Sequence, residues 1–267
     1  MAGIKRIARF LGKDGEILEG VVHGEGAAAE IEEVSGLDGM LQGGRTLGRP
    51  RLLKEVQLMP WGISRKILAV GKNYRDHAKE MGSEAPQSPI IFIKPSSALI
   101  GHGETIELPP SSIAKEVHHE AELCVIIGKR LRRAGEAECA KAIAALTCLN
   151  DVTARDVQKT DGQWARAKGF DSFCPVGPWA AVGAPWEDAF VRCRVNGEVR
   201  QDGRTKDLLF SIPRLLAFIS AGITLEPGDL FSTGTPSGVG PIRAGDEVEV
   251  EVEGVGILRN PVRARKG

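Results

Sequence analysis

The stretch Val117-His118-His119-Glu120-Ala121-Glu122-Leu123-Cys124-Val125-Ile126-Ile127 narrows most sharply what this chain can become. It reads as a strand, and residues two apart on a strand share a face, so Glu120 and Glu122 point the same way. Two carboxylates side by side on a half-apolar strand repel each other unless they are solvated or neutralised, and a divalent cation with oxygen ligands is the simplest neutraliser. Asp151 can supply a third oxygen, because it follows an apolar run over 142–149 that would deliver it to the edge of a site as a core strand ends. Periodicity alone leaves a second reading open: a solvated strand face, with Asp151 as an ordinary cap before a helix over 153–159.

Around this segment the chain reads as short strands separated by turns. Its 33 glycines and 15 prolines fit that pattern better than a helical bundle. Lys13-Asp14-Gly15 between two β-like runs marks a hairpin over 4–22. A small β-rich unit is expected over residues 1–62 and a larger unit over 63–267. In the larger unit, strands are predicted at 66–70, 89–94, 117–127, 146–150, 191–196, 229–233 and 247–253, and helices at 74–81, 136–145, 153–159 and 206–221. The two patterns do not alternate regularly and the C-terminal stretch is nearly all β, so the expected class is a β-rich α+β fold and not a doubly wound sheet.

Charge and cysteine usage remove several classes of function. Lys and Arg total 35, as do Asp and Glu, so no net field recruits nucleic acid or an anionic membrane. The five cysteines are odd in number and lack a Cys-x-x-Cys spacing, which fits reduced core residues better than disulfides or a zinc site. No apolar run reaches the length of a signal peptide core or a bilayer span, so a cytoplasmic protein is expected.

Three further segments carry chemistry. His77 and Glu80 lie three residues apart in Asn73-Tyr74-Arg75-Asp76-His77-Ala78-Lys79-Glu80, hence on one face of a helix. A carboxylate beside an imidazole fixes its tautomer and raises its basicity, although an exposed polar pair has the same spacing. Lys168, among aromatic and small residues, can face a cavity as a fixed positive charge or lie on the surface over an apolar stem. The stretch Ser232-Thr233-Gly234-Thr235-Pro236-Ser237-Gly238-Val239-Gly240 leaves backbone N–H groups and hydroxyls to hold an anion, but it lacks the lysine and spacing of a nucleotide-binding P-loop. Gly101-His102-Gly103-Glu104 is read as a turn.

Taken together, these segments resemble the fumarylacetoacetate hydrolase family, in particular its smaller members, among them acylpyruvate hydrolases, oxaloacetate decarboxylases and hydroxyheptadienedioate isomerases. The resemblance runs from about Ile67 to Val262. It takes in Gly71-Lys72-Asn73-Tyr74-Arg75-Asp76-His77, Phe92-Ile93-Lys94-Pro95-Ser96, His119-Glu120-Ala121-Glu122-Leu123, Asn150-Asp151-Val152-Thr153-Ala154-Arg155-Asp156-Val157-Gln158, Lys168-Gly169-Phe170-Asp171, Val195-Asn196-Gly197-Glu198 and Gly234-Thr235-Pro236-Ser237-Gly238-Val239-Gly240. Several motifs in one order identify a family far better than any one alone.

The resemblance implies a mixed β-sandwich or roll preceded by the small N-terminal β unit, and usually a homodimer. It implies Mg²⁺ or Mn²⁺ on Glu120, Glu122 and Asp151, Lys168 as the active-site lysine, and His77 with Glu80 as a catalytic pair on a lid. Arg155, Gln158 and Thr235 match positions that line the substrate pocket. The larger fumarylacetoacetases carry a fourth metal carboxylate near the strand before the lid. Leu68-Ala69-Val70-Gly71 offers no acid there, which favours the smaller branch.

The activity implied first is hydrolysis of the C–C bond of a 3-acylpyruvate. In that reaction the cation chelates the 2-oxo acid, His77 takes a proton from water, and an enolate forms beside Lys168. Decarboxylation of oxaloacetate and isomerisation of 2-hydroxyhepta-2,4-diene-1,7-dioate share that enolate and stay open, as does a sugar-acid dehydratase. A non-catalytic 2-oxo acid binding protein would leave His77, Glu80 and Lys168 without a role.

Overall fold

The computed structural model describes residues 3–34, 47, 49–63, 65–82 and 84–265. The hairpin signal at Asp14-Gly15 is realised: Lys5–Leu11 pairs antiparallel with Ile17–His23, from Arg6↔Val22 to Leu11↔Ile17. The turn between them closes through Gly12 N–H donating to the Glu16 carbonyl at 2.8 Å.

That hairpin is part of a 12-stranded mixed sheet. Lys5–Leu11 pairs with Cys174–Val182, and the order then runs through Ile143–Asn150, Ala121–Ile127, Leu230–Ser232 and Ile67–Gly71 to the edge strand Ile90–Lys94. A second sheet of five strands is ordered Glu198–Arg204, Phe190–Val195, Glu247–Val252, Gly256–Ala264 and Ile106–Leu108. The expected β-rich fold with few helices is what forms.

Every residue of Ala121–Ile127 is buried because both faces of the strand meet core. Leu123, Val125 and Ile127 pack with Val191, Val248 and Val250 of the second sheet and with Leu215 of the helix Ile212–Ser220. Cys124 and Ile126 point the other way, onto Ile7, Ile67, Val176 and Leu230. Burial on both faces explains the unbroken apolar run, since each fully buried Leu, Ile or Val contributes about 1.5–3 kcal/mol. All five cysteines are free and buried, as their composition suggested.

Several expected boundaries move. The strand predicted over 117–127 is two strands. Val117–His119 joins a three-stranded sheet with Thr153–Ala154 and Gly240–Pro241, and Ala121–Ile127 enters the large sheet. The chain changes sheets at Glu120, whose N–H is taken by the Asn150 side chain at 2.9 Å and not by a ladder partner. The helix predicted over 136–145 ends at Ala140, and the strand begins at Ile143. A short apolar run suits either state, and here it fits between two sheet neighbours. The helix predicted over 206–221 is a 3₁₀ turn at Thr205–Asp207 followed by Ile212–Ser220, and the one predicted over 153–159 spans Arg155–Asp161.

Cys174–Val182 is a central strand that its own prolines conceal. The register shifts between Leu146↔Ala181 and Cys148↔Gly177, which leaves Pro178 outside the ladder. Among the described residues no helix is long and apolar enough to cross a membrane.

Candidate active site

The break at Glu120 builds the site. Glu120 occupies the gap between the two strands, Glu122 is the second residue of Ala121–Ile127, and Asp151 immediately follows Ile143–Asn150. Asp151 N–H donates to the Glu120 carbonyl at 2.8 Å, locking the two strand ends together. Oxygen atoms of Glu120, Glu122 and Asp151 all lie within 4.8 Å of one another, and all three residues are buried. Asp151 is therefore not the cap of the following helix, whose cap position is Ala154.

Three cations are packed against these carboxylates. Lys168 Nζ donates to Glu120 Oε2 at 2.7 Å and also to Asp151 Oδ2. Lys94 Nζ, fully buried at the end of Ile90–Lys94, donates to Asp151 Oδ1 at 2.5 Å. Arg155 Nη2 donates to Glu120 Oε1, and its Nη1 to Gln158 Oε1 at 3.0 Å. Burial alone would raise Glu120, but Arg155, Lys168 and His77 together hold it well below the usual carboxylate range. Burial likewise opposes the charge on Lys168, and Asp151 and Glu120 more than reverse the effect, raising it.

Glu122 differs. It has no cationic side chain as an ion-pair partner among the described residues; Ser232 Oγ at 2.5 Å and Gly234 N at 2.7 Å donate to its Oε2. Burial, then Asp151 and Glu120, push it up to about 8. A hard, all-oxygen donor set with one uncompensated carboxylate fits a hard divalent cation, which the three residues could hold.

The loop 232–240 does bind anions, but they are the protein's own. Besides holding Glu122, it donates Gly238 N–H to Glu80 Oε1 at 2.9 Å. Gly238 has φ +97°, and a Cβ there would lie 2.1 Å from the Arg200 carbonyl oxygen, so only glycine permits this donor. The other oxygen of Glu80 faces His77 Nδ1 at 3.1 Å. His77 is buried on the short helix Arg75–Glu80.

A cavity of about 220 Å³ joins these groups. Glu120, Glu122, Asp151, Lys168, His77, Arg155, Gln158 and Thr235 all line it, so eight of the nine residues singled out in the sequence meet at one place. The ninth, Glu80, stands behind His77. Thr235 donates its hydroxyl to the Ala121 carbonyl at 2.8 Å and accepts from Gln201 Nε2 at 2.7 Å.

Sequence reasoning gave no role to Lys94, Gln201 or the aromatic wall. The signal for Lys94 was present, since a charged residue closing the strand Ile90–Lys94 needs a buried partner. Gln201 gave none, because its partners His119, Ala121 and Thr235 come from distant segments. In the wall, the Lys168 ammonium lies 5.0 Å from the Phe92 ring centroid and 6.0 Å from that of Trp164.

A mixed β fold here brings clustered carboxylates, a buried lysine and a carboxylate-backed histidine to one cavity, the arrangement of an enzyme active site. Residues 66–263 match the family model of the fumarylacetoacetate (FAA) hydrolase C-terminal domain, and the chain belongs to that family. It is 40% identical over 212 residues to the oxaloacetate tautomerase YisK of Bacillus subtilis, covering 74% of this chain and 70% of that protein. A solved 5-carboxymethyl-2-hydroxymuconate delta-isomerase from Mycobacterium smegmatis shares 44% identity with a TM-score of 0.87, over 98% of this chain and all of that one. A 2-hydroxyhepta-2,4-diene-1,7-dioate isomerase from Mycobacterium marinum shares 38% identity with a TM-score of 0.89 over the same shares of the two chains.

Proposed function

We propose that this enzyme moves a proton at the carbon next to the 2-oxo group of a small 2-oxo acid, interconverting keto and enol forms or isomers derived from them. The observation that carries this reading is the pairing, across one cavity, of Lys168 on Glu120 and Asp151 with His77 backed by Glu80. The relatives named as tautomerase and isomerases support it.

With its Nδ1 hydrogen directed to Glu80, His77 keeps the Nε2 lone pair for the cavity and can take the proton from C3. Glu80, fixed by Gly238, stabilises the imidazolium that results. The Lys168 ammonium stabilises negative charge developing on the 2-oxygen, and Arg155 with Gln158 offers a fork of donors for the 1-carboxylate. Return of the proton to oxygen gives the enol, and its return to another carbon of a conjugated acid gives an isomer. When bound on Glu120, Glu122 and Asp151, Mg²⁺ or Mn²⁺ supplies Lewis-acid polarisation of the substrate oxygens.

A second reading, hydrolysis of a 3-acylpyruvate, is favoured by the same His77 and Glu80, because a backed imidazole can equally take a proton from water. Deuterium exchange at C3 of oxaloacetate in D₂O, with Mg²⁺ present, tests the first reading. Enzyme-dependent exchange that is lost in His77→Ala is expected, and its absence from the wild type would rule the proposal out. Parallel turnover of acetylpyruvate and fumarylpyruvate tests hydrolysis.

A further inference from the structure

We propose that Gln201 is a positioning residue of the cation site: from the second sheet it grips both chain neighbours of Glu120 and so sets how Glu120 and Glu122 converge. This rests on the reading above that Glu120, Glu122 and Asp151 hold a divalent cation. On an unbroken strand the pleat would align residues two apart, but the chain changes sheets at Glu120, so something else must align them. Gln201 Oε1 faces His119 Nδ1 at 3.0 Å and accepts from Ala121 N at 3.0 Å, the residues on either side of Glu120. Its Nε2 donates to Thr235 Oγ1 at 2.7 Å and to the Pro236 carbonyl at 2.8 Å, and Thr235 donates its own hydroxyl to the Ala121 carbonyl at 2.8 Å. Every direction in this circuit is forced, because a peptide N–H can only donate and a carbonyl can only accept. Both backbone groups of Ala121, the residue between the two acids, are thus held by one glutamine and the threonine it fixes. The same loop donates Gly234 N–H to Glu122 Oε2 at 2.7 Å, so the grip reaches the second acid as well.

Local structure supplies an independent argument. Glu198–Arg204 is the outermost strand of the second sheet, and Gln201 is its one buried residue. The register against Phe190–Val195 shifts from Cys193↔Gln201 to Arg194↔Val199, which leaves Arg200 as an extra residue, and a bulge of this kind re-aims the side chain beside it. A Cβ at Gly203 would lie 2.5 Å from Pro236 Cβ, so this strand and the loop approach as closely as glycine allows. An apolar side chain would bury at this position without the cost of desolvating an amide, so a glutamine that satisfies four polar partners there points to a use for them.

Calorimetric titration of EDTA-treated, dialysed protein with Mn²⁺, below the melting transition of each variant, reads the cation site without turnover. Gln201→Met keeps the length of the side chain and removes its polar contacts, and it should weaken Mn²⁺ binding about 10- to 100-fold, the usual loss when groups that orient metal ligands are removed. Thr235→Val cuts the circuit from the loop side and should weaken binding about three- to tenfold, while Thr235→Ser, which restores the hydroxyl, should bind within about twofold of wild type. Because both substitutions break one circuit, Gln201→Met with Thr235→Val should bind no more than about twofold worse than Gln201→Met alone. A loss of stability by itself lowers the melting temperature and leaves the affinity of still-folded protein untouched. Unchanged Mn²⁺ affinity in Gln201→Met and Thr235→Val would therefore overturn the proposal, as would losses that simply multiply in the double variant or a serine that restores nothing. A Gln201→Met protein that does not fold leaves the decision to Thr235→Val and its serine rescue. A wild type that takes up no Mn²⁺ removes the cation reading itself, whereas a wild type that binds it, matched by both variants, removes the grip alone.

Discussion

Lys168 Nζ lies 2.7 Å from Glu120 Oε2 and bonds Asp151 as well, so one buried ammonium ties together two of the three carboxylates that can hold a cation. The lysine would therefore compete with a bound cation for the same oxygens while supplying charge for the proposed reaction. Lys168→Met should raise Mg²⁺ affinity and still slow C3 exchange by about 10²–10³-fold, the usual cost of removing one preorganised electrostatic partner. Calorimetric Mg²⁺ titration beside the exchange assay reads both, and parallel losses would show that Lys168 only supports the metal site.

Glu122 gives the metal-free protein a pH dependence. Its folded value of about 8 lies above the usual carboxylate value, so the stability it contributes is full at low pH and is lost as pH rises through about 8. EDTA-treated protein should lose melting temperature between about pH 5 and 8, and Glu122→Gln should flatten that slope. Binding of Mg²⁺ should release a proton below pH 8 and none well above it, which titration in buffers of different ionisation enthalpy measures.

His77 and Glu80 should separate the candidate reactions. His77→Ala should abolish exchange at C3, while metal-assisted loss of CO₂ from oxaloacetate, which needs no base, should fall far less. Glu80→Gln keeps the side chain's shape but not its charge and should cost about tenfold or more in exchange, with a changed pH profile. Equal losses in exchange and decarboxylation for His77→Ala would count against His77 as the base.

Oxalate copies the planar oxygens of a 2-oxo acid's enolate end, so it should compete with substrate and bind more tightly than pyruvate. Binding should need Mg²⁺ or Mn²⁺, weaken in Asp151→Asn, and weaken less in His77→Ala. It should also slow hydrogen exchange across residues 72–82, the segment that carries Lys72 and His77. Oxalate binding that is indifferent to the metal would remove the cation from substrate recognition.

Gly71 tests the aromatic wall. A Cβ at this position would lie 2.3 Å from Cζ3 of Trp164, whose ring packs edge-on against Phe92 at 5.4 Å. Gly71→Ala should displace Trp164 and destabilise the fold by about 1–3 kcal/mol, the usual cost of overpacking. A denaturation midpoint unchanged from wild type would mean the wall yields freely.

Much of the site was legible because its residues sit in short local patterns. The i,i+2 acids Glu120 and Glu122, the i,i+3 pair His77 and Glu80, and Asp151 at the end of an apolar run each imply a geometry from backbone periodicity alone. The two acids do converge, although the strand expected to align them is broken between them. Element boundaries were less legible wherever an apolar run could serve as helix or strand, as at Ile143–Asn150, or where prolines disguised a strand, as at Cys174–Val182.

By itself, the sequence determined the residue types of the cluster, their local spacing and the β-rich class, since these follow from covalent order and the side-chain period of two or 3.6. Only the tertiary structure decided which charges compensate which: Lys94 and Lys168 for Asp151, Arg155 and Lys168 for Glu120, and, among the described residues, none for Glu122. It also decided that Gln201, from the other sheet, bridges His119 and Thr235. Those partners come from segments far apart in the chain, and electrostatic energy depends on through-space distance and burial, neither of which is written in sequence order.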